Sequence, residues 1–427
     1  MAKPPHPRSY YAASAHPSPE LPELEQSLAC DVAVVGGGYT GLTAALELAS
    51  RGYDVVLLEA ARVGFGASGR NGGHVAWGYA AEMEAIERAV GREDAGRLWA
   101  LGLEAVELVR ERVRRLAIDC DLKLTGYLLA ALKARQMRAL EKTARHLEQR
   151  YGYAGGRLLR CEELQAVVRS PRYLGGYWFA DAGHLHPLNY ALGLARAAQA
   201  AGARLFEGSR VRAIKQGAAV LLQTKRGSVR ARFAVLAGNA TLGRLVPELC
   251  AQAMPASTYM VATEPLGEAR ARALIPGDIA ISDCNFVLDY LRLSADGRLL
   301  FGGGVSYSTV TPPDLKATMR RKMLRVFPQL SDARLDYAWH GRVALTMERT
   351  PALGRLAPNL YYAHGYSGHG VALTGLAGRV IAEAIAGQAE RFDVFAHLPH
   401  RRFPGGPLLR MPLLVLGMAY YRLRDLL

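Results

Sequence analysis

The strongest constraint on the fold lies between residues 31 and 59. Asp31 to Val35 is a short apolar run of strand type, followed at once by Gly36, Gly37, Gly38 and, three residues on, Gly41. From Leu42 to Ser50 the apolar residues fall at helical spacing. Arg51 and Gly52 then supply a basic last turn and a C-terminal glycine. Val55 to Leu58 is a second apolar strand, ending on Glu59. Strand, glycine turn, helix and strand in about thirty residues form the βαβ unit. The unit predicts an α/β chain with a Rossmann-like domain.

The glycine spacing gives this unit a task. Gly36 permits the tight turn. Gly38 has no side chain, so a pyrophosphate can lie against backbone N–H groups at the helix N-terminus, where the dipole favours anions. Gly41 lets the helix pack closely on the strand. Glu59 closes the second strand, where a carboxylate accepts hydrogen bonds from a ribose 2′-OH and disfavours a 2′-phosphate. A dinucleotide is therefore expected. Two further glycine-rich segments, 64–73 and 365–370, favour FAD over NAD, because an isoalloxazine is approached by backbone from several sides. The second segment also opens a helix, whose N–H groups would stabilise negative charge on a reduced flavin.

Elsewhere the patterning predicts helices over 82–118, 133–150, 188–201, 314–327 and 371–386. Strands are predicted at 205, 211–214, 220–224, 232–236 and 360–363, with a strand-rich stretch over 256–305. Residues 1–28 read as an extended arm. At 427 residues the chain is too long for one ordinary core. The expected division is an FAD-binding domain from 29–80, 180–250 and 340–400, and a substrate domain of antiparallel sheet plus helices from 81–179 and 251–339. A C-terminal tail follows over 401–427.

Half the residues are apolar and 21% are charged, a globular composition. The net charge of +15 raises the question of anionic partners. The basic residues are scattered, however, and the densest group, Arg110, Arg112, Arg114 and Arg115, is interleaved with Glu107 and Glu111 as on a solvated helix face. Nucleic acid is not expected, and a flavin enzyme acting on tRNA is the weakest of three readings. The five cysteines, Cys30, Cys120, Cys161, Cys250 and Cys284, form no C-x-x-C pair and fit a reducing cytoplasm. No run is long enough to span a bilayer. The tail from Pro412 to Leu427, apolar early and basic late, leaves peripheral membrane contact open beside simple helix packing. His184 and His186 lack a carboxylate or cysteine at ligand spacing, so no metal is expected.

Five segments together carry a family resemblance: Asp31 to Gly38, Arg62 to Gly73, Gly183 to Pro187, Arg298 to Gly303 and Gly365 to Val371. The chain resembles the D-amino-acid-oxidase-like (DAO) family of FAD enzymes, and the likeness runs nearly end to end. It implies oxidation of the carbon–nitrogen bond of a small amine or amino acid, with O2 or an electron carrier as acceptor. Gly36, Gly38 and Gly41 would hold the pyrophosphate and Glu59, with Ala60 beside it, the adenosine ribose. Arg62, Ala67, Ser68, Asn71, Gly72 and Gly73 match the loop that passes the pyrophosphate and reaches the flavin. Val211 matches a backbone contact to adenine, and Ala237 and Gly238 the turn beside the pyrophosphate. Gly368, His369, Gly370 and Val371 match the pyrimidine end of the flavin.

The chain also departs from family patterns. No cysteine stands near Gly341 and Arg342, where some members tether the cofactor, so non-covalent FAD is expected. The strand 299–302 lacks the lysine that assists oxygen in some members, which keeps a dehydrogenase reading alongside an oxidase. His340 stands where relatives often carry glycine. Arg342 matches a position that binds substrate carboxylate in some members; a surface arginine is the alternative. Tyr290 and Arg292 read as a core tyrosine and a solvated arginine. His74 is a candidate for facing the flavin or linking to it, and His369 for the polar contact nearest the chemistry. Oligomeric state is not legible.

Overall fold

The computed structural model describes residues 3–306, 314–405 and 415. A five-stranded parallel core answers the opening motif: Leu360–His364, Ser228–Leu236, Ser27–Val35, Val55–Leu58 and Arg204–Phe206 lie in that order. Ala352–Ala357 extends one edge antiparallel, and the hairpin strands Ala213–Lys215 and Val220–Gln223 join through Ser228–Leu236. Val32, Ala33, Val34, Val55, Val56 and Leu57 are fully buried. Strands covered on both faces read as continuous apolar runs, which is why these were visible in the sequence.

The second sheet has eight strands in the order Leu335–Leu345, Met254–Thr263, Leu299–Ser306, Asp289–Leu293, Ala280–Asp283, Tyr127–Ala131, Gly175–Phe179 and Gly156–Arg160. Its pairs are antiparallel except for Ala280–Asp283 with Tyr127–Ala131. A two-stranded ribbon, His74–Val75 with Gly183–His184, lies apart from both sheets.

Helices at Tyr39–Ala49, Ala134–Tyr151, Pro187–Ala200, Leu315–Val326 and Leu373–Ile385 fall where periodicity predicted them. The 83–115 helix breaks at Gly91, whose φ of 81° and ψ of 171° are not helical. Arg112, expected on a solvated face of that helix, is 1% exposed and pairs with Glu47 at 2.9 Å. Arg110 and Arg115 do stand on a solvated face, paired with Glu107 and Glu111. The charge pattern missed Arg112 because Glu47 comes from another helix. No helix among the described residues is long and apolar enough to cross a membrane. The predicted tail helix lies outside the described residues, apart from Val415.

The N-terminal arm is not simply extended. Tyr10–Ala13 forms a helical turn capped by the Ser9 hydroxyl, which accepts from Ala12 N at 3.1 Å. Tyr11 is fully buried, and Tyr10 donates to Asp296 Oδ1 at 2.8 Å. Two adjacent aromatics bury enough apolar area to hold a segment whose composition alone reads as a loose arm.

Candidate active site

The glycine turn fixes its own neighbours. Gly36 sits at φ +113°, and a methyl group there would meet Ala237 O at 2.8 Å, so the expected turn at Ala237 and Gly238 lies directly against it. A methyl at Gly38 would meet Ser68 Oγ at 2.9 Å, and that hydroxyl accepts from Tyr39 N at 3.1 Å. The loop predicted to pass the pyrophosphate thus comes to the N-terminus of the 39–49 helix. Glu59 accepts from Gly37 N at 2.7 Å and from Ala61 N at 2.8 Å. Burial pushes its carboxyl up, opposed by those two donors. Ala60 is half-buried beside it. Val211 is buried in the same apolar cluster as Val35, Val56 and Leu58. Arg62 turns away from this group: its guanidinium bonds Glu20 and Pro4 O, both on the arm.

From Ala67 the loop runs into the wall of a cavity of about 410 Å³. Asn71 shapes the turn: its Oδ1 accepts from Gly73 N at 2.7 Å, and its Nδ2 donates to Ala67 O and Ser68 O. Ala67, Asn71, Gly72, Gly73, His74 and the segment Gly368, His369, Gly370 and Val371 all line this one cavity, although nearly 300 residues separate the two stretches. Their convergence was expected from the two glycine-rich segments, each read as backbone approaching an isoalloxazine, and from the resemblance.

Two of the cavity histidines, His74 and His369, have their pKa lowered by burial. His74 lies between the rings of Tyr127 and Tyr290, each 5.8 Å away, with its Nδ1 3.5 Å from Ser282 Oγ. Burial, then the Arg292 charge, keeps it well below the ordinary histidine range. Its Nε2 has no partner among the described residues. His369 Nε2–H donates to the carbonyl of Trp77 at 2.8 Å; burial lowers its pKa against that bond. His184 and His186 have structural partners instead. His184 Nε2 lies 2.9 Å from Asp278 O, and His186 Nδ1 accepts from Asn189 N at a helix start.

Arg342 is exposed and is not part of the cavity wall. The guanidiniums that are belong to Arg70 and Arg349, which sequence reasoning passed over. Arg70 stacks over Phe65 at 4.5 Å, and its Nε is buried without a partner among the described residues. Arg349 sits at φ +60° and stacks over Phe286 at 4.4 Å. Glu82, Glu84 and His146 add further charged or polar groups, and Trp77, Tyr79, Phe179 and Leu288 add apolar surface. Tyr290, read as a core residue, lines the cavity and packs on Gly72 and Gly302, where added methyls would meet its ring at 2.8 Å and 2.1 Å. Arg292 corrects the expectation of a solvated side chain: it is 3% exposed. Its partners include the Gly72 and Leu185 carbonyls and the Tyr11 hydroxyl, all distant in sequence, which no local pattern announces.

A hairpin at 283–289 carries Phe286 and Leu288 into the cavity wall. Asp283, at its base, is buried, and its carboxyl is pushed up to about 7 by burial first and then by the Asp289 charge, against Asn285 N–H and Lys322. A carboxyl raised in the folded state above its ordinary 3.8 contributes full stability only below that value and loses it as pH rises through about 7. Asp283→Asn should therefore gain stability over the unsubstituted chain as pH climbs from 4 to 7, read as a growing difference in urea midpoint. A constant difference across that range would contradict this account.

The geometry has known counterparts. The family model described as "DAO: FAD dependent oxidoreductase" matches residues 31–384. The chain is 47% identical over 98% of both chains to the gamma-glutamylputrescine oxidoreductase of Escherichia coli, and 40% identical to the probable oxidoreductase OrdL of Haemophilus influenzae over 98% of this chain and 97% of that one. Among solved structures, glycine oxidase from Geobacillus kaustophilus superposes with a TM-score of 0.72 at 22% identity, covering 85% of this chain and 96% of its own. L-proline dehydrogenase from P. horikoshii gives 0.71 at 22%, covering 89% and 98%. These last two bear on the fold alone. With the family model spanning most of its length, the chain belongs to the DAO family of FAD-dependent oxidoreductases.

Proposed function

We propose that this flavoenzyme oxidises the carbon–nitrogen bond of a small amine whose far end carries an amino-acid head, with gamma-glutamylputrescine as the leading substrate. One observation carries the reading: the cavity that both glycine-rich stretches line is walled by aromatic rings and by charged groups of both signs, Arg70 and Arg349 as well as Glu82 and Glu84. A molecule with a carboxylate and an ammonium at one end and a reactive amine at the other matches that lining. The name of the E. coli relative points the same way.

The residues fit FAD. Gly36, Gly38, Gly41, Ser68 and Glu59 would hold its pyrophosphate and ribose, since the turn leaves no room for side chains and Glu59 is fixed by two backbone donors. Asn71 to Gly73 and Gly368 to Val371 would flank the isoalloxazine, and a methyl at Gly368 would meet nothing within 4 Å. FAD, when bound, accepts a hydride from the carbon beside nitrogen.

The chain's own residues prepare the amine. An ammonium has no lone pair to assist cleavage of the C–H bond, so the substrate must lose a proton. The Tyr127, Phe179 and Tyr290 rings remove water from the amine, which favours its neutral form. His74 and His369, being neutral, add no charge there. The imine that results hydrolyses in water. We place Arg349 at the head carboxylate and Glu82 and Glu84 at the head ammonium, and the working compartment in the cytoplasm, which suits the five free thiols.

The purified enzyme, mixed with gamma-glutamylputrescine without oxygen, should lose its visible flavin bands and regain them on admission of air, with release of peroxide. Bands that never bleach would reject this substrate. Bleaching with slow recovery in air would identify a carrier, not O2, as the acceptor.

A further inference from the structure

Arg292 is a buried cation with an unusual set of partners. Its Nε donates to Gly72 O at 2.7 Å, Nη1 to Leu293 O at 2.9 Å, and Nη2 to Leu185 O at 2.8 Å and to Tyr11 Oη at 3.2 Å. These are three carbonyls and a phenol, contributed by the cofactor loop, its own strand, the segment before the 187–200 helix and the N-terminal arm. Among the described residues it forms no ion pair. A buried guanidinium without a carboxylate is expensive to desolvate, and here hydrogen bonds and the Tyr11 ring, 5.8 Å from Cζ, offset that cost.

Its place relative to the cavity is close. A methyl group at Gly73 would sit 2.9 Å from Nη2 and 3.0 Å from Nε, so the guanidinium lies directly beneath a wall residue. The next residue, His74, also lines the cavity, and the Arg292 charge, after burial, lowers the pKa of both His74 and His186. The field of this cation therefore reaches into the space that the flavin end of FAD would take.

We propose that Arg292 is a positioning residue for the flavin: it pins the Asn71–Gly73 turn and, through its unneutralised charge, favours the reduced cofactor. The two electrons that FAD takes up bring negative charge into the cavity, and a fixed cation in a water-poor site lowers the cost of that charge. Lysine cannot replace it, because only the planar fork reaches carbonyls in three directions. The inference rests on FAD binding and not on the identity of the amine.

The test uses the full-length enzyme without substrate. FAD affinity is measured by titrating apoprotein, and the midpoint potential by equilibration with a reference dye. Arg292→Lys keeps the charge and loses the fork, so FAD affinity should fall at least tenfold while the potential stays unchanged. Arg292→Met should also move the two-electron equilibrium at least tenfold toward the oxidised form, about 30 mV. Should it fail to fold, Arg292→Gln, which retains a donor, takes its place. Undiminished affinity in Arg292→Lys overturns the pinning role. A wild-type potential in the uncharged variant, or an equal shift in Arg292→Lys, overturns the charge role.

Discussion

Gly41→Ala is expected to purify as a colourless, destabilised protein. Gly41 lies in the first turns of the 39–49 helix, and a methyl there would come 1.9 Å from Gly36 O and 3.1 Å from Val34 Cγ1. The nearer contact is backbone and cannot swing aside. The helix must lift from the strand, which typically costs about 1–3 kcal/mol. The same shift moves the N–H groups at the helix start away from Ser68 and from the pyrophosphate position. Gly96→Ala is the matched control: no atom lies within 4 Å of its added methyl, and the helix there should gain about 0.5–1 kcal/mol. The readouts are the ratio of visible to protein absorbance and the melting temperature. A fully yellow Gly41→Ala enzyme would mean that this close approach does not set the cofactor site.

Arg349→Ala should raise the KM for gamma-glutamylputrescine by roughly 10–150-fold with little change in kcat, since a charge-assisted bond to a carboxylate is worth about 1.5–3 kcal/mol. The residue holds a left-handed backbone conformation that favours glycine, and its guanidinium sits over the Phe286 ring, 4.4 Å from the centroid. Stacking removes rotamer freedom, so less is lost when the head group binds. An analogue lacking the carboxylate should be turned over equally by both enzymes, because that analogue never meets the charge. Equal KM values for the complete substrate would remove Arg349 from head-group recognition and return attention to Arg70.

The parts of this molecule that were legible in the sequence are those whose physics is local. A strand buried on both faces reads as an apolar run, and a glycine turn against a helix start reads as G-x-G-x-x-G; Val32 to Val35 and Gly36 to Gly41 show both. The second glycine loop and the 365–370 segment were legible as two backbone approaches to one flavin, and the family resemblance added which residues make them. Arg112, Arg292 and Arg349 were opaque for one common reason. The partner that decides each one, Glu47, Gly72 O or the Phe286 ring, stands far off in sequence, so an isolated arginine looks the same whether solvated, buried or functional. Tyr11 was hidden by its surroundings, a proline-rich stretch that conceals two buried rings.

The order of strands in the parallel core bears on how the enzyme comes into being. The 27–35 strand leaves the ribosome well before its neighbour at 228–236, and that strand's neighbour at 360–364 follows later still. At 5–20 residues per second the wait for the last of them is roughly 20–60 s. During that time the glycine turn lacks Ala237 behind it, and an apolar strand edge stays open to other chains. FAD loading accordingly waits on synthesis of the 360–364 strand, and until then the nascent βαβ unit is the exposed segment.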